Sequence, residues 1–490
     1  YQDRDGERRP VSVAYRVSGR EYGFVVGVYD PALPLIIDPL LQSTYLGGGK
    51  DEYALALAIA PGTGEVYVTG YTNSTDFPGT AGGAQSTFGG LTDVFVARLS
   101  SDLTSLLHAT YLGGSSAEQG VAIAIAGTGD VYVAGYTLSP NFPGTAGGAQ
   151  PAFGGGSDAF VARLSSDLTA LLKATYLGGS GVEQAFALAI HPSNGDVYVA
   201  GVSQSTDFPG TGGGAQPAKG GGADAFVARL SSTLTTFTQA TYLGGTNGEG
   251  AFALAIDPTS GDTYVAGSTA SSDMPGTTGG AQSAYGGGTG DTFIARLPST
   301  LTSLTQATYL GGTGTDSTLA LAIHPTGDVY ATGLTQSANF PGTIGGVQAT
   351  YGGGGVDGFV ARLSGSLTAL LQATYLGGSI NDNVNALAIH PTSGDLYVAG
   401  NTSSDDFPGT AGGAQSAKGG GLNSGFVARL TRGLDPGPVL SITPSSVNFG
   451  TVNVNGSADR TFTVQNAGGG TLTGTAATSG APFSVVGGSP

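Results

Sequence analysis

Cysteine and tryptophan are absent from these 490 residues, methionine occurs once, and Asp, Glu, Lys and Arg together make up only 10 % of the chain. Without cysteine there can be no disulfide, thiolate metal site or cysteine nucleophile, and the redox compartment is left open. The lack of tryptophan weakens a sugar-stacking lectin reading, although tyrosine and phenylalanine remain. Lysine is confined to Lys50, Lys173, Lys219 and Lys418, and the net charge is −17. That leaves no basic stripe for nucleic acid and no basic amphipathic helix for a membrane surface. No apolar run approaches ~18 residues, so membrane insertion through a helix is not expected. The sequence opens at Tyr1 with neither an initiator methionine nor a signal peptide, and reads as a processed or trimmed chain.

What is present is glycine, 88 residues of it, against a usual ~7 %. With 39 % of residues hydrophobic and set in short alternating runs, disorder is not expected. Thr-Tyr-Leu-Gly-Gly occurs six times, with its tyrosine at Tyr45, Tyr111, Tyr176, Tyr242, Tyr309 and Tyr375, spaced 66, 65, 66, 67 and 66 residues apart. A constant period marks a repeat architecture. One unit supplies four runs of strand composition: 54–60 (alternating Ala with Leu and Ile), 65–72, 93–99 and 106–112. Turn-forming clusters separate them, and none has a sustained 3.6-residue period.

Four strands per unit and six units imply an all-β, six-bladed β-propeller; ~66 residues is too long for a solenoid coil. The alanine-rich strand suits the crowded axis and the Thr-Tyr-Leu strand the rim. Residues 386–430 then hold three strands of a last blade without its rim strand, while 40–46 is a rim strand without its blade. The ring is expected to close by pairing the two, which leaves no open edge.

Thr-Tyr-Leu-Gly-Gly, Gly-Asp-Val-Tyr-Val-Ala-Gly-Tyr-Thr at 129–137, Asp-Phe-Pro-Gly at 76–79 and Asp-Ala-Phe-Val-Ala-Arg-Leu at 158–164 recur in this order over roughly 40–430. In these phrases the chain resembles the SBBP bacterial β-propeller repeat family. The resemblance implies a secreted or surface-attached protein without a defined catalytic activity, and the family name suggests seven blades as the alternative count. Residues 1–39, with strand-like runs at 11–17, 22–28 and 35–37, resemble the tail of a preceding domain. The propeller is expected over 40–432 and a linker over 433–438. Residues 439–490 resemble the start of an Ig-like module of the ASPM/hydin type, about half a β-sandwich.

Polar residues recur with the repeat. An acid follows each key tyrosine by seven positions: Glu52, Glu118, Glu183, Glu249, Asp316 and Asp382. An arginine lies near the end of each third strand: Arg98, Arg163, Arg229, Arg296, Arg362 and Arg429. Asp93, Asp158, Asp224, Asp291 and Asp357 open five of those strands, with Ser424 in the sixth. Six copies fit a structural ion-pair ring better than a catalytic site, which needs an asymmetric acid and base. The arginines are expected to clamp the acids of the first set or the strand-opening aspartates. Further acids (Glu65, Asp130, Asp196, Asp262, Asp328, Asp395) follow glycine before the second strands and read as turn caps.

No catalytic or cofactor-binding residues are assigned. Calcium could use carboxylates and turn carbonyls, but there is no dense Asp-x-Asp-x-Asp loop, so no metal ligands are assigned either. His191, His324 and His390 occupy one repeated slot in different units, and His108 stands elsewhere, which argues against zinc. Asn73, Asn401 and Asn455 lie in glycosylation sequons. The long connections, such as 73–92 and 138–157, each carry a glutamine (Gln85, Gln150, Gln216, Gln282, Gln348, Gln415) and are expected to crowd one face, as a binding surface or by packing on one another.

The leading functional expectation is a non-enzymatic extracellular structural or adhesive protein. It would self-associate or join other surface proteins, as a filament built head to tail by strand addition. A propeller that binds glycan or calcium for attachment is the alternative, and a propeller enzyme the third reading.

Overall fold

The computed structural model describes residues 42–434, except 412 and 414, together with Val28, Asp30 and the strands Gln2–Arg4, Glu7–Arg9, Val13–Ser18, Glu21–Val26, Leu440–Thr443 and Thr463–Asn466. Among these residues every regular element is a strand. The alternating inner run pairs with the β-branched second run, which pairs with the third and then the outer run. Blade one is Glu52–Ile59, Val66–Thr72, Asp93–Leu99 and Leu106–Leu112, antiparallel in that order. Blade two is Glu118–Ile125, Val131–Thr137, Asp158–Leu164 and Leu171–Leu177. Blade three is Glu183–Ile190, Val197–Ser203, Asp224–Leu230 and Phe237–Leu243. Blade four is Glu249–Ile256, Thr263–Thr269, Asp291–Leu297 and Gln306–Leu310. Blade five is Asp316–Ile323, Val329–Thr335, Asp357–Leu363 and Leu370–Leu376. Among the described residues blade six has three strands, Asp382–Ile389, Leu396–Thr402 and Ser424–Leu430. The protein is an all-β, six-bladed β-propeller.

Two local features shape each blade. The inner strand bulges against the second, in blade two between Ala134 and Gly135. A Cβ on Gly135 would lie 1.8 Å from the Gln119 carbonyl oxygen, so this position needs glycine. Behind the third strand the turn places a leucine in the left-handed region, at φ 56 to 61° in Leu103, Leu168, Leu234, Leu301, Leu367 and Leu434. From Leu168 onward each buries its side chain in the core, and its carbonyl accepts from an amide of the preceding blade, as Leu168 O accepts from Ala84 N at 2.9 Å.

The core lies between the blades. Tyr67, Val94, Val96 and Leu112 on the trailing face of blade one pack on Val131, Val133, Phe160, Ala162 and Leu164 on the leading face of blade two. The same interlock joins blades two to three, three to four, four to five and five to six. Face-to-face packing buries the third strands of the middle blades on both sides, with only Arg163 of Asp158–Leu164 partly exposed.

The expected closure by an N-terminal rim strand is not what the structure has. Gln42–Leu46 form no strand, and Tyr45 is fully exposed, whereas Tyr111, Tyr176, Tyr242, Tyr309 and Tyr375 are buried. Residues 40 and 41 lie outside the described residues. Among the described residues no interlock joins blade six to blade one, and the six blades form an arc with two uncovered faces. Residues 46–50 are held by blade one as their equivalents are held at each internal junction: Leu46 rests on the cluster of Phe77, Phe95 and Tyr111, Gly49 N donates to Asp76 Oδ1 (2.8 Å), and Lys50 N to Ser74 Oγ (2.8 Å). Outside the arc, Val13–Ser18 pairs with Glu21–Val26, and Leu440–Thr443 with Thr463–Asn466. The rest of the expected Ig-like half-sandwich, with Asn455, lies outside the described residues, as does the run at 35–37.

Candidate functional site: buried carboxylates and the open blade ends

Each junction between blades is organised around the first glycine of Thr-Tyr-Leu-Gly-Gly. Asp93 opens a third strand, Glu118 opens the next blade's inner strand, and Gly113 passes between them. A Cβ there would come within 2.6 Å of both Asp93 Oδ1 and Glu118 Oε2, so a side chain is excluded. Asp93 accepts from Gly89 N (2.8 Å) and Gly90 N (3.1 Å). Glu118 accepts from Gly114 N (3.0 Å) and Thr137 Oγ1 (2.7 Å). The pairs Asp158–Glu183, Asp224–Glu249, Asp291–Asp316 and Asp357–Asp382 repeat the arrangement around Gly178, Gly244, Gly311 and Gly377.

All ten of these carboxylates are buried. Burial pushes Asp93 and Asp158 up to about 6, with the neighbouring Glu118 and Glu183 charges adding to the rise. It pushes Asp291 and Asp357 up to about 7, again with the facing Asp316 and Asp382 adding. In these last two pairs an aspartate stands where blades two to four have glutamate. The shorter side chain leaves Asp316 Oδ1 and Asp382 Oδ1 without a partner, and Asp291 Oδ1 and Asp357 Oδ1 are likewise unpartnered.

The arginines are ion-paired, but not with the expected acids. Arg98 holds Glu65, Arg163 holds Asp130 (2.5 Å), Arg229 holds Asp196 (2.6 Å), Arg296 holds Asp262 (2.6 Å) and Arg362 holds Asp328 (2.6 Å). Arg429 pairs with Asp395. Register decides this. Tyr132 faces Arg163 at the foot of the sheet, where Asp130 leads in, whereas Thr137 faces both Glu118 and Asp158 at its head. At ~3.3 Å per residue the two ends are about 20 Å apart. Glu52, Glu118, Glu183, Glu249, Asp316 and Asp382 are thus loop clamps, and the turn acids are the arginine partners. In the second strands, Tyr67, Tyr132, Tyr198, Tyr264 and Tyr330 each donate a hydroxyl to a carbonyl of the following blade, such as Tyr198 to Ser299 O at 2.6 Å.

The long connections are built into the blades. Phe77 stacks on Phe95 (4.7 Å), its amide donates to the Tyr111 hydroxyl (2.9 Å), and that hydroxyl donates to Ser74 O (3.0 Å). Gln85 donates to Asp93 Oδ2 (3.2 Å) and accepts from Gly113 N (3.0 Å). The histidines do not converge: His191 and His390 bond serines of their own turns, and His324 bonds Thr326. Among the described residues no three His, Asp or Glu side chains cluster as metal ligands. Asn73 is partly buried, and Asn401 sits inside a strand with its Oδ1 accepting from Asn385 (3.0 Å).

Exposed apolar side chains gather at the arc's two ends. Leu57 (63 % exposed) and Ile59 line the leading face of blade one, in the places of Ile123 and Ile125 in blade two. Val427 (75 %) and Tyr397 (37 %) mark the trailing face of blade six, although their equivalents in the other blades are buried.

A family model described as "Domain of unknown function (DUF7948)" matches residues 1–40, ahead of the repeats. No curated protein matches the chain. Among solved structures it is similar to Sqt1 of Chaetomium thermophilum, at 11 % identity and TM-score 0.31, covering 72 % of this chain and 94 % of that one. It is also similar to a quinohemoprotein alcohol dehydrogenase of Pseudomonas putida HK5, at 10 % identity and TM-score 0.34, covering 70 % and 55 %. A europium-containing methanol dehydrogenase matches at 10 % identity and TM-score 0.32, covering 71 % and 73 %.

Proposed function

We propose that the chain is a non-enzymatic structural or adhesive module of the SBBP repeat type, at work outside the cell and assembled with further copies or other surface proteins. The carrying observation is the uncovered apolar surface at each end of the arc: Leu57 and Ile59 on blade one, whose equivalents pack into the internal junctions, and Val427 and Tyr397 on blade six, whose equivalents are buried there. Contiguous apolar surface of this kind marks association. The ten buried acids support the reading, since they are sealed inside the junctions, where general acid–base chemistry would need substrate access. Sedimentation velocity and electron microscopy of the purified chain test it: higher-order particles are expected, and a strictly monomeric chain at micromolar concentration overturns it.

A second reading, calcium-dependent attachment, draws on one observation: the unpartnered oxygens of Asp291, Asp316, Asp357 and Asp382. Hard cations take such carboxylate oxygens. If calcium occupies these pairs, adding it after chelation raises the melting temperature. An unchanged melting curve removes this reading.

A further inference from the structure

We infer that blade six carries a strand-acceptor slot for the segment Ser43-Thr44-Tyr45-Leu46-Gly47 of a second copy of this chain. The inference rests on the reading of the chain as self-associating and assigns its contact.

Every other blade shows what the slot takes. In blade one, Ala109, Thr110, Tyr111 and Leu112 pair with Ala97, Val96, Phe95 and Val94. The Thr110 hydroxyl accepts from Gln85 N (2.8 Å), the Tyr111 hydroxyl bridges Phe77 N and Ser74 O, and Gly113 N reaches Gln85 Oε1. Blade six retains each receiving group. Among the described residues no tyrosine stands beside Phe407 and Phe426, whose rings pack at 4.2 Å, and Gln415 bonds Ala417 O through its Nε2 (2.9 Å). By the same register, Phe426 awaits a tyrosine, Val427 a threonine and Ala428 a small residue. The sequence Ser43-Thr44-Tyr45-Leu46-Gly47-Gly48 meets that pattern.

The segment is also presented for delivery. Leu46 occupies on blade one the place that Leu112 occupies on blade two, within the leading-face cluster. Thus the anchor of the strand is seated while Tyr45 projects into solvent. The faces around it match as well. Tyr397 is the sixth of a series whose other five members donate to the next blade, and Ser101 of blade one is the sequence equivalent of Ser166, the acceptor of Tyr67. Within one chain the slot and the segment do not meet. Between copies, blade six of one molecule can interlock with blade one of the next as blades one and two do. This is strand addition onto an open sheet edge, and a heterologous contact that does not close propagates as a filament.

A cysteine-free chain gives a direct test. In the acceptor register Ser43 faces Ala428, as Ala109 faces Ala97, within disulfide reach for a cross-strand pair. Ser43→Cys and Ala428→Cys chains, mixed and oxidised, should give a heterodimer whose linked peptides join 43 to 428. The Ser43→Cys/Ala428→Cys double variant should give a ladder of covalent oligomers, and Tyr45→Asp should abolish it. Tyr45 is exposed, so its replacement leaves the fold intact. A double variant that forms only an internally cross-linked monomer overturns the inference in favour of ring closure within one chain. Assembly of the wild-type chain together with cysteine variants that give no 43–428 link would also overturn it while leaving self-association standing. Absence of both link and assemblies would remove both readings.

Discussion

Arg229 and Asp196 meet at the foot of blade three, with Asp196 Oδ2 accepting from Arg229 Nε at 2.8 Å and Nη2 at 2.6 Å. The guanidinium also donates to Ser299 O in the next blade (3.0 Å) and lies over the Tyr198 ring. One side chain therefore fixes a hairpin turn and a blade junction together. Exposed ion pairs contribute little, but these side chains are only 16 % and 18 % exposed. Arg229→Ala should cost about 1–3 kcal/mol, and Arg229→Lys, which keeps the charge without the fork, less. Chemical denaturation checks both; a neutral alanine variant would show that the pair is ornamental.

Tyr242 offers a cleaner hydrogen-bond test. Its hydroxyl accepts from Phe208 N (3.0 Å) and donates to Ser205 O (2.8 Å), all buried. Tyr242→Phe keeps the ring and strands both backbone groups, so a loss of roughly 1–3 kcal/mol is expected. The loss should be accompanied by faster amide exchange in the 204–216 loop.

Leu234 has φ 59° and is fully buried. A left-handed backbone costs a non-glycine residue about 1–2 kcal/mol, while removing a buried leucine costs about 2–5 kcal/mol. Both Leu234→Ala and Leu234→Gly should destabilise, but the glycine variant should be the more stable of the two, by about 1 kcal/mol. Equal stabilities would mean that the turn relaxes out of the left-handed region.

The carboxylate pairs set an unusual pH dependence. Asp291 and Asp357 rise from 3.8 to about 7 in the folded chain, and Asp93 and Asp158 to about 6, through burial first. Between pH 4 and 7 the folded state then holds protons that the unfolded state has released, so stability falls as pH rises. The carboxyls lowered by hydrogen bonds or ion pairs, such as Glu65 beside Arg98, act oppositely and lose their contribution below about pH 4. The melting temperature should therefore be higher at pH 5 than at pH 8, by roughly a few degrees. Asp291→Asn/Asp357→Asn should flatten that slope. A melting temperature that climbs from pH 5 to pH 8 would contradict the assignment.

The sequence alone determined the repeat, its four strands and their order from axis to rim, because alternation and a constant period are local properties of the chain. It also showed acids and arginines recurring once in each unit. Which acid meets which arginine was decided by the tertiary structure: Asp130 and Glu118 are both close to Arg163's unit in sequence, but the sheet register sends one to its foot and the other to its head. The left-handed leucines were equally hidden, since nothing in Ser-Asp-Leu-Thr marks a positive φ that only burial against the next blade can sustain. The state of the ring was decided last. The phrase at 43–47 and the three-stranded last unit were both legible, and pairing them within one chain was the economical reading. The structure instead holds Leu46 on blade one and leaves blade six apart from it, because whether two faces meet depends on the summed rotation of five blade junctions, a quantity written in packing rather than in any one repeat.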